Sequence, residues 1–410
     1  MTTASSAHPG ILHKYTTRLV AFEHWFPNPY SVPINTLIFI GGLFDGLLTV
    51  PFTPPLSAAL PTSWSLAQPI LSSSYTGFGT SSLDKDVQEI SQCVAYFRNL
   101  KPGGKIVLMG HSTGSQDVMH YLVSAEPPAE KEQEQEQEKS TGRPKIDGGI
   151  LQSSVSDREA FVMCPPASYT KACTVAQEMV AEGRAEDILP RDATDGHMGG
   201  ILSARRWLSL ASPPPEYSGQ DDYFSSDLPD SRLQSTFSKL ASSGTRISFL
   251  FAGKDQFVPA HVDKVALVTK WEGIVRDAGG VVDEGSGIVE GADHALFQVE
   301  EGVVEDLVQR VVGFLERVGG KEVGVKVKTV EVEGKEGEVE KEVEKEVEGK
   351  EVDGKEVDGK EVEGKEVEGK EVEGKEAEGK DVEAEWKDVD VKQKEVAPLE
   401  GVVGREKEEL

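Results

Sequence analysis

Cysteine is scarce: Cys93, Cys164 and Cys173 are the only three in 410 residues. Their spacing fits no metal-ligand pattern, and an odd number of thiols makes no even disulfide framework. A disulfide-stapled secreted module is therefore excluded, and the expected setting is reducing and cytoplasmic. Long apolar runs are missing too. None approaches the roughly 20 residues that a membrane helix needs, and no basic segment at the N-terminus leads into an apolar one. Positive charge is in deficit, with a formal net charge of −28. A surface of that sign repels phosphates, which argues against nucleic acid or anionic membrane as a partner.

Aromatic residues are nearly absent from one part of the chain. Residues 321–410 contain Trp386 and no other aromatic, yet they carry half of the net negative charge. This stretch is a degenerate repeat, cleanest as Gly-Lys-Glu-Val-Glu/Asp over 349–379. A five-residue period puts successive valines about 140° apart on a helix, so no apolar stripe forms. Each repeat glycine further costs a helix about 1 kcal/mol. We expect a disordered acidic tail, with weak strand tendency from its Val-Glu alternation and with no legible partner. Residues 126–145, charged and almost without apolar side chains, are expected to form a low-complexity surface insertion. Residues 1–320 hold the other aromatics and are ample for one large core.

What that core does possess is a Gly-x-Ser-x-Gly pattern. The apolar run Ile106-Val107-Leu108-Met109 leads into Gly110-His111-Ser112-Thr113-Gly114, and a helix-compatible stretch follows. A turn this tight between strand and helix needs positions without Cβ atoms on either side of a strained serine. The serine hydroxyl is thereby lifted clear of the sheet, beside a helix N-terminus that favours negative charge. Ser112 is the expected nucleophile.

Around it the chain alternates strand and helix. Residues 1–15 read as a loose lead-in and 15–23 as an edge strand. Strands are predicted at 35–40, 64–71, 146–154, 245–252 and 287–290. Helices are predicted at 83–100, from the elbow to about 124, and at 262–278 and 300–318. Without tight hairpins this order implies a mostly parallel sheet with crossover helices on both faces, a layered α/β domain. Residues 157–244, irregular apart from helical stretches near 170–182 and 200–210, have the character of a lid inserted between two late strands.

A serine nucleophile needs a base, and the base needs a carboxylate to orient it. In layered α/β hydrolases these follow in the order Ser, Asp, His. Asp255 stands just past the strand at 245–252, with Asp157 as the rival acid after the preceding strand. Of eight histidines, His8, His13 and His24 precede the core sheet. His111 lies inside the elbow with its side chain expected to turn away from Ser112. His120 rides the elbow helix, His197 falls in the lid and His261 begins a helix. His294 alone follows a short strand after the acid and precedes the final helix, and it is the expected base. The Gly41-Gly42-Leu43 turn after an early strand is placed to present the Leu43 N–H as one oxyanion donor, with the Thr113 N–H as the other. No metal or organic cofactor is called for.

The segments FIGGLFDGLLTVPF (39–52), SSYTGFGTSSLDKDVQEI (73–90), KIVLMGHSTGSQDVMHYL (105–122), GGILQSSVSDREA (148–160), AGKDQFVP (252–259) and GADHALF (291–297) resemble a fungal α/β-hydrolase family that includes the intracellular fusarinine C esterase. The resemblance covers about residues 15–318. It implies a cytosolic serine esterase that opens ester bonds of hydroxamate siderophores such as triacetylfusarinine C and so releases iron. By position it also implies the triad Ser112, Asp255 and His294. The His-Gly usual before the oxyanion loop is Gly41-Gly42 here. Two other readings stay open on the residues: an acyltransferase, thioesterase or tailoring hydrolase of secondary metabolism using the same triad, and a non-catalytic scaffold that engages a partner through the acidic tail.

Overall fold

The structure, a computed structural model, describes residues 7–24, 32–125, 142–163, 166–194 and 201–320, together with the backbone of two short strands further on. Residues 126–141 of the expected insertion, His197, Cys164 and most of the tail lie outside the described residues.

The chain opens with a hairpin that the sequence did not announce. β1 (Gly10–Lys14) lies in the expected lead-in and pairs antiparallel with β2 (Val20–His24). β2 falls on the strand expected at 15–23 but is not an edge, because β1 and the strand Trp64–Ile70 flank it; β1, short and mixed in polarity, is the strand that alternation leaves unmarked. β3 (Asn35–Ile40) follows, then a short helix α1 (Thr53–Ala59) that starts on consecutive prolines, Pro54 and Pro55. Prolines suit a first helical turn, where the missing N–H is an orphan anyway. β4 (Trp64–Ile70) leads to α2 (Leu83–Leu100), whose Ser82 caps the Lys85 N–H and whose Leu83, Val87, Ile90, Val94 and Phe97 are buried. β5 (Ile106–His111), α3 (Thr113–Val123) and β6 (Gly148–Gln152) complete the centre.

Four helices come next: α4 (Asp157–Met163), α5 (Pro166–Ala181), α6 (Ala204–Ala211) and α7 (Asp230–Ser242). The first three share a small core of their own in which Phe161 stacks on Trp207 at 5.3 Å. α7 is different. It falls in the stretch expected to form the lid, yet Leu233, Phe237 and Leu240 pack into the main core and the Phe237 ring stacks on Trp271 of α8. α7 is thus a crossover helix of the sheet. The chain then forms β7 (Arg246–Ala252), α8 (Lys264–Asp277), β8 (Val281–Val282), β9 (Gly287–Val289) and α9 (Glu301–Gly319).

The sheet runs β1-β2-β4-β3-β5-β6-β7-β8, with β9 also paired to β7. β2 pairs antiparallel with β4, and every pairing among β3 to β9 is parallel. Both faces are covered, and side-chain alternation shows it. Ile38, Ile106 and Leu108 join the cluster beneath α2, α3, α7 and α8, whereas Leu37, Phe39, Val107 and Met109 join the one beneath α1 and α9. The order reverses between β3 and β5, because the chain leaves β3 toward β4 and returns to β5 on the other side. Such a switch point opens a crevice at the C-terminal ends of the strands.

One charged cluster is buried between α6 and the sheet-covering helices. Arg206 pairs with Asp221 at 2.7 Å and donates to the Phe78 carbonyl at 3.1 Å. Asp86, Asp117 and Asp157 are buried near it. Burial holds Asp117 and Asp157 well above the usual carboxylate range, and lifts Asp86 to about 6.

Contacts divide the chain into Met1–Glu348 and Gly349–Leu410, the second wholly outside the described residues. Beyond α9, β10 (Val327–Glu331) and β11 (Lys341–Lys345) pair antiparallel, in keeping with the strand tendency of the Val-Glu alternation.

Candidate active site

The elbow owes its shape to close approach. A Cβ on Gly110 would lie 2.1 Å from the Gly114 carbonyl oxygen, and one on Gly114 would lie 2.3 Å from that of Ile40. Both positions therefore exclude any other residue. Ser112, between them, has φ 56° and ψ −126°, a conformation that a side-chain-bearing residue adopts only when its surroundings impose it. It heads α3, its N–H donates to the Gln152 carbonyl at 3.0 Å, and its side chain is half-buried. Among the described residues nothing hydrogen-bonds its hydroxyl.

Across the switch point stands the β3–α1 loop. A Cβ on Gly42 would come within 2.6 Å of the Ser112 Cβ, so this backbone touches the serine only because position 42 is bare. The Gly42 N–H donates to Asp45 Oδ2 at 2.8 Å and is therefore occupied. The N–H groups of Leu43, next in this loop, and of Thr113, at the first position of α3, have no backbone or side-chain acceptor among the described residues.

Asp255 follows β7 and His294 follows β9, on the same edge of the sheet as Ser112 because the pairings β5–β6, β6–β7 and β7–β9 are all parallel. The structure brings these two together: His294 Nδ1 lies 2.7 Å from Asp255 Oδ2. The other carboxylate oxygen of Asp255 accepts from the Phe257 N–H at 3.0 Å, and the Phe257 ring stands edge-on to His294 at 4.8 Å. Both Asp255 and His294 are buried.

The rival residues go elsewhere. Asp157 accepts from Gln116 Nε2 at 2.8 Å and makes no bond to His294. His120 bridges Asp84 and Tyr223, His24 meets Gln68, and His13 meets Glu23 and Tyr96. His261 is exposed. His111, expected to turn away from Ser112, packs beside His294. Its ring is buried 5.0 Å from that of His294, its Nδ1 is 2.5 Å from Gln152 Oε1, and its Nε2 is 3.9 Å from Asp45. Burial, and next the neighbouring His294, push its pKa down to about 4. Gln152, Ser153 and Asp45, likewise close to the centre, carried no sequence signal, because only the sheet register and the loop path bring them there.

The family model described as "Protein of unknown function (DUF1749)" matches residues 1–316. Fusarinine C esterase sidJ of Aspergillus fumigatus is 39% identical over 341 residues, covering 75% of this chain and 95% of that protein. Among solved structures, siderophore hydrolase EstB from Aspergillus fumigatus has 38% identity and a TM-score of 0.65, covering 76% of this chain and 98% of that one. An "Alpha/Beta hydrolase fold protein of unknown function", at 17% identity and a TM-score of 0.50, covers 77% and 97% and shares the fold. The chain belongs to the DUF1749 family and is a carboxylic ester hydrolase of the α/β-hydrolase fold.

Proposed function

We propose that the protein cleaves esters through an acyl-enzyme formed on Ser112, with His294 as base and Asp255 as the carboxylate that orients it. The observation that carries this reading is the 2.7 Å contact between His294 Nδ1 and Asp255 Oδ2, at the end of the sheet that bears the strained Ser112. An imidazole whose Nδ1–H is committed to a carboxylate keeps Nε2 free to accept a proton. Ser112 Oγ attacks the ester carbonyl as His294 takes its proton. The oxyanion is held by the N–H groups of Leu43 and Thr113, which have no acceptor among the described residues. His294 returns the proton to the departing alcohol, and water then repeats the sequence on the acyl-enzyme. The serine–imidazole bond closes once substrate is bound, as such bonds commonly do.

The substrate we propose is an ester-linked hydroxamate siderophore of the fusarinine type, opened inside the cell to release its iron. The names of the similar esterase and hydrolase support this class, and the two buried, free cysteines Cys93 and Cys173 suit a reducing compartment.

Incubation with ferric and iron-free triacetylfusarinine C, followed by mass spectrometry, tests both parts. The expected result is product heavier by one water per ester opened, abolished in Ser112→Ala. Turnover near wild type in Ser112→Ala would reject the nucleophile. No product from an enzyme that still hydrolyses a p-nitrophenyl ester through Ser112 would reject the siderophore and leave the mechanism standing.

A further inference from the structure

Three residues that hold no place in the triad, His111, Gln152 and Ser153, form an unbroken hydrogen-bond chain that ends on the backbone of His294, and the direction of every bond in the chain is fixed by that end. The backbone carbonyl of His294 can only accept, so Ser153 Oγ, 2.8 Å away, must donate its proton there. Ser153 then accepts from Gln152, which presents its amide Nε2 at 2.6 Å. The other end of that amide, Oε1, faces His111 Nδ1, so His111 Nδ1 carries the hydrogen. The other ring nitrogen, Nε2, lies 3.9 Å from the Asp45 carboxylate that accepts from the Gly42 N–H, and burial, with His294 beside it, disfavours a second proton on the ring. Gln152 also accepts the Ser112 N–H on its own carbonyl, so one residue joins the elbow to the histidine loop. The His294 backbone is pinned from the other side as well, its N–H donating to Gln256 Oε1 at 3.1 Å.

We propose that His111 is a positioning residue: through Gln152 and Ser153 it fixes the backbone of His294, and so keeps the imidazole on Asp255 and aimed at Ser112. This rests on the triad reading above. The arrangement also explains how two imidazoles lie 5.0 Å apart without competing for the serine proton. The Nδ1–H of His111 is committed to Gln152, and the ring is enclosed by Phe52 and His294. Burial disfavours a charge on this ring, so the proton released by Ser112 has His294 as its destination.

The test uses the full chain and a p-nitrophenyl ester. His111→Leu removes the donor to Gln152. His111→Asn keeps one, because its amide nitrogen falls close to the place of Nδ1. Ser153→Ala cuts the same chain at its far end. We expect His111→Leu and Ser153→Ala each to lower kcat by about tenfold to a hundredfold with KM within about twofold. His111→Asn should recover most of the loss, and the double variant His111→Leu/Ser153→Ala should be no worse than the poorer single one, since both break one chain. A folded His111→Leu with kcat within twofold of wild type would overturn the proposal, as would losses in the double variant that multiply, or an Asn variant no better than Leu. Should His111→Leu fail to fold, Ser153→Ala decides alone on the same criterion. Fluorophosphonate labelling of the wild type, mapped by mass spectrometry, separates the two levels. A label on Ser112 with unaffected chain variants rejects only the role of His111, and a label elsewhere rejects the triad reading itself.

Discussion

Asp255 and Asp157 are both buried aspartates that follow neighbouring strands of one sheet, yet their surroundings assign them different work. Asp255 meets His294 and a backbone N–H, whereas Asp157 is bonded by the Gln116 amide and lies near Asp221 and Arg206. Asn has nearly the shape of the Asp157 carboxyl and keeps an oxygen to accept from Gln116, so Asp157→Asn should leave kcat/KM within about threefold of wild type. Asp255→Asn should lower it by about three to four orders of magnitude, because the amide favours the wrong tautomer of His294. Steady-state rates on one ester decide this, and a larger loss in Asp157→Asn would move the acid. Gly42 gives a second contrast. A Cβ there meets the Ser112 side chain first, at 2.6 Å, and the His111 carbonyl at 3.2 Å, so Gly42→Ala should cost about a hundredfold or more in kcat with a smaller effect on Tm than Gly110→Ala. Gly110→Ala, whose Cβ would meet backbone at 2.1 Å, should instead lower Tm sharply.

At the level of elements, long helices with strong periodicity were legible, and short or irregular ones were not. α2 and α9 follow their apolar spacing closely, whereas α1 begins on two prolines and α4 is only seven residues long. α7 was not read as a helix in the sequence, and its role as a crossover helix depends on Trp271 of α8, which lies outside it in the chain. The Arg206 cluster ties three elements together: Arg206 on α6, Asp86 on α2 and Asp117 on α3. Asp86 and Asp117 take up protons on folding, since their folded pKa values lie above those of the unfolded chain. Their stabilising contribution is complete below about pH 4, the ordinary aspartate pKa, and is lost as pH rises through the folded values, about 6 for Asp86. Tm should therefore decline as pH is raised through this window. Asp117→Asn, which mimics the protonated form, should flatten the profile and hold or raise Tm at pH 7. A fall of several degrees at pH 7 would mean that Asp117 acts as a needed charge.

For the whole molecule, the repeat at 321–410 sets the largest question of organisation. Ordering ninety residues costs on the order of 100 kcal/mol of conformational entropy, and valine in a five-residue period offers little burial to offset it. A chain ending at Gly320 should keep its kcat/KM and its Tm, and limited proteolysis of the full chain should remove the tail first. A truncated enzyme that unfolds, or loses most of its activity, would show that the tail is part of the folded unit. The sequence by itself determined the elbow, the parallel α/β order and the three residues proposed for catalysis, because each is written in local pattern: a strand, a turn without Cβ atoms, a helix, and then polar residues just past strand ends. Tertiary structure alone decided the rest. That the backbone of Gly42 lies against Ser112 follows from the reversal of strand order between β3 and β5. That His111, Gln152 and Ser153 support His294 follows from parallel register, which sets His111 beside Gln152 across 41 residues of chain and brings Ser153 to a loop 141 residues away. Long-range hydrogen bonds leave no periodicity in the sequence, since their partners are chosen by packing and not by spacing.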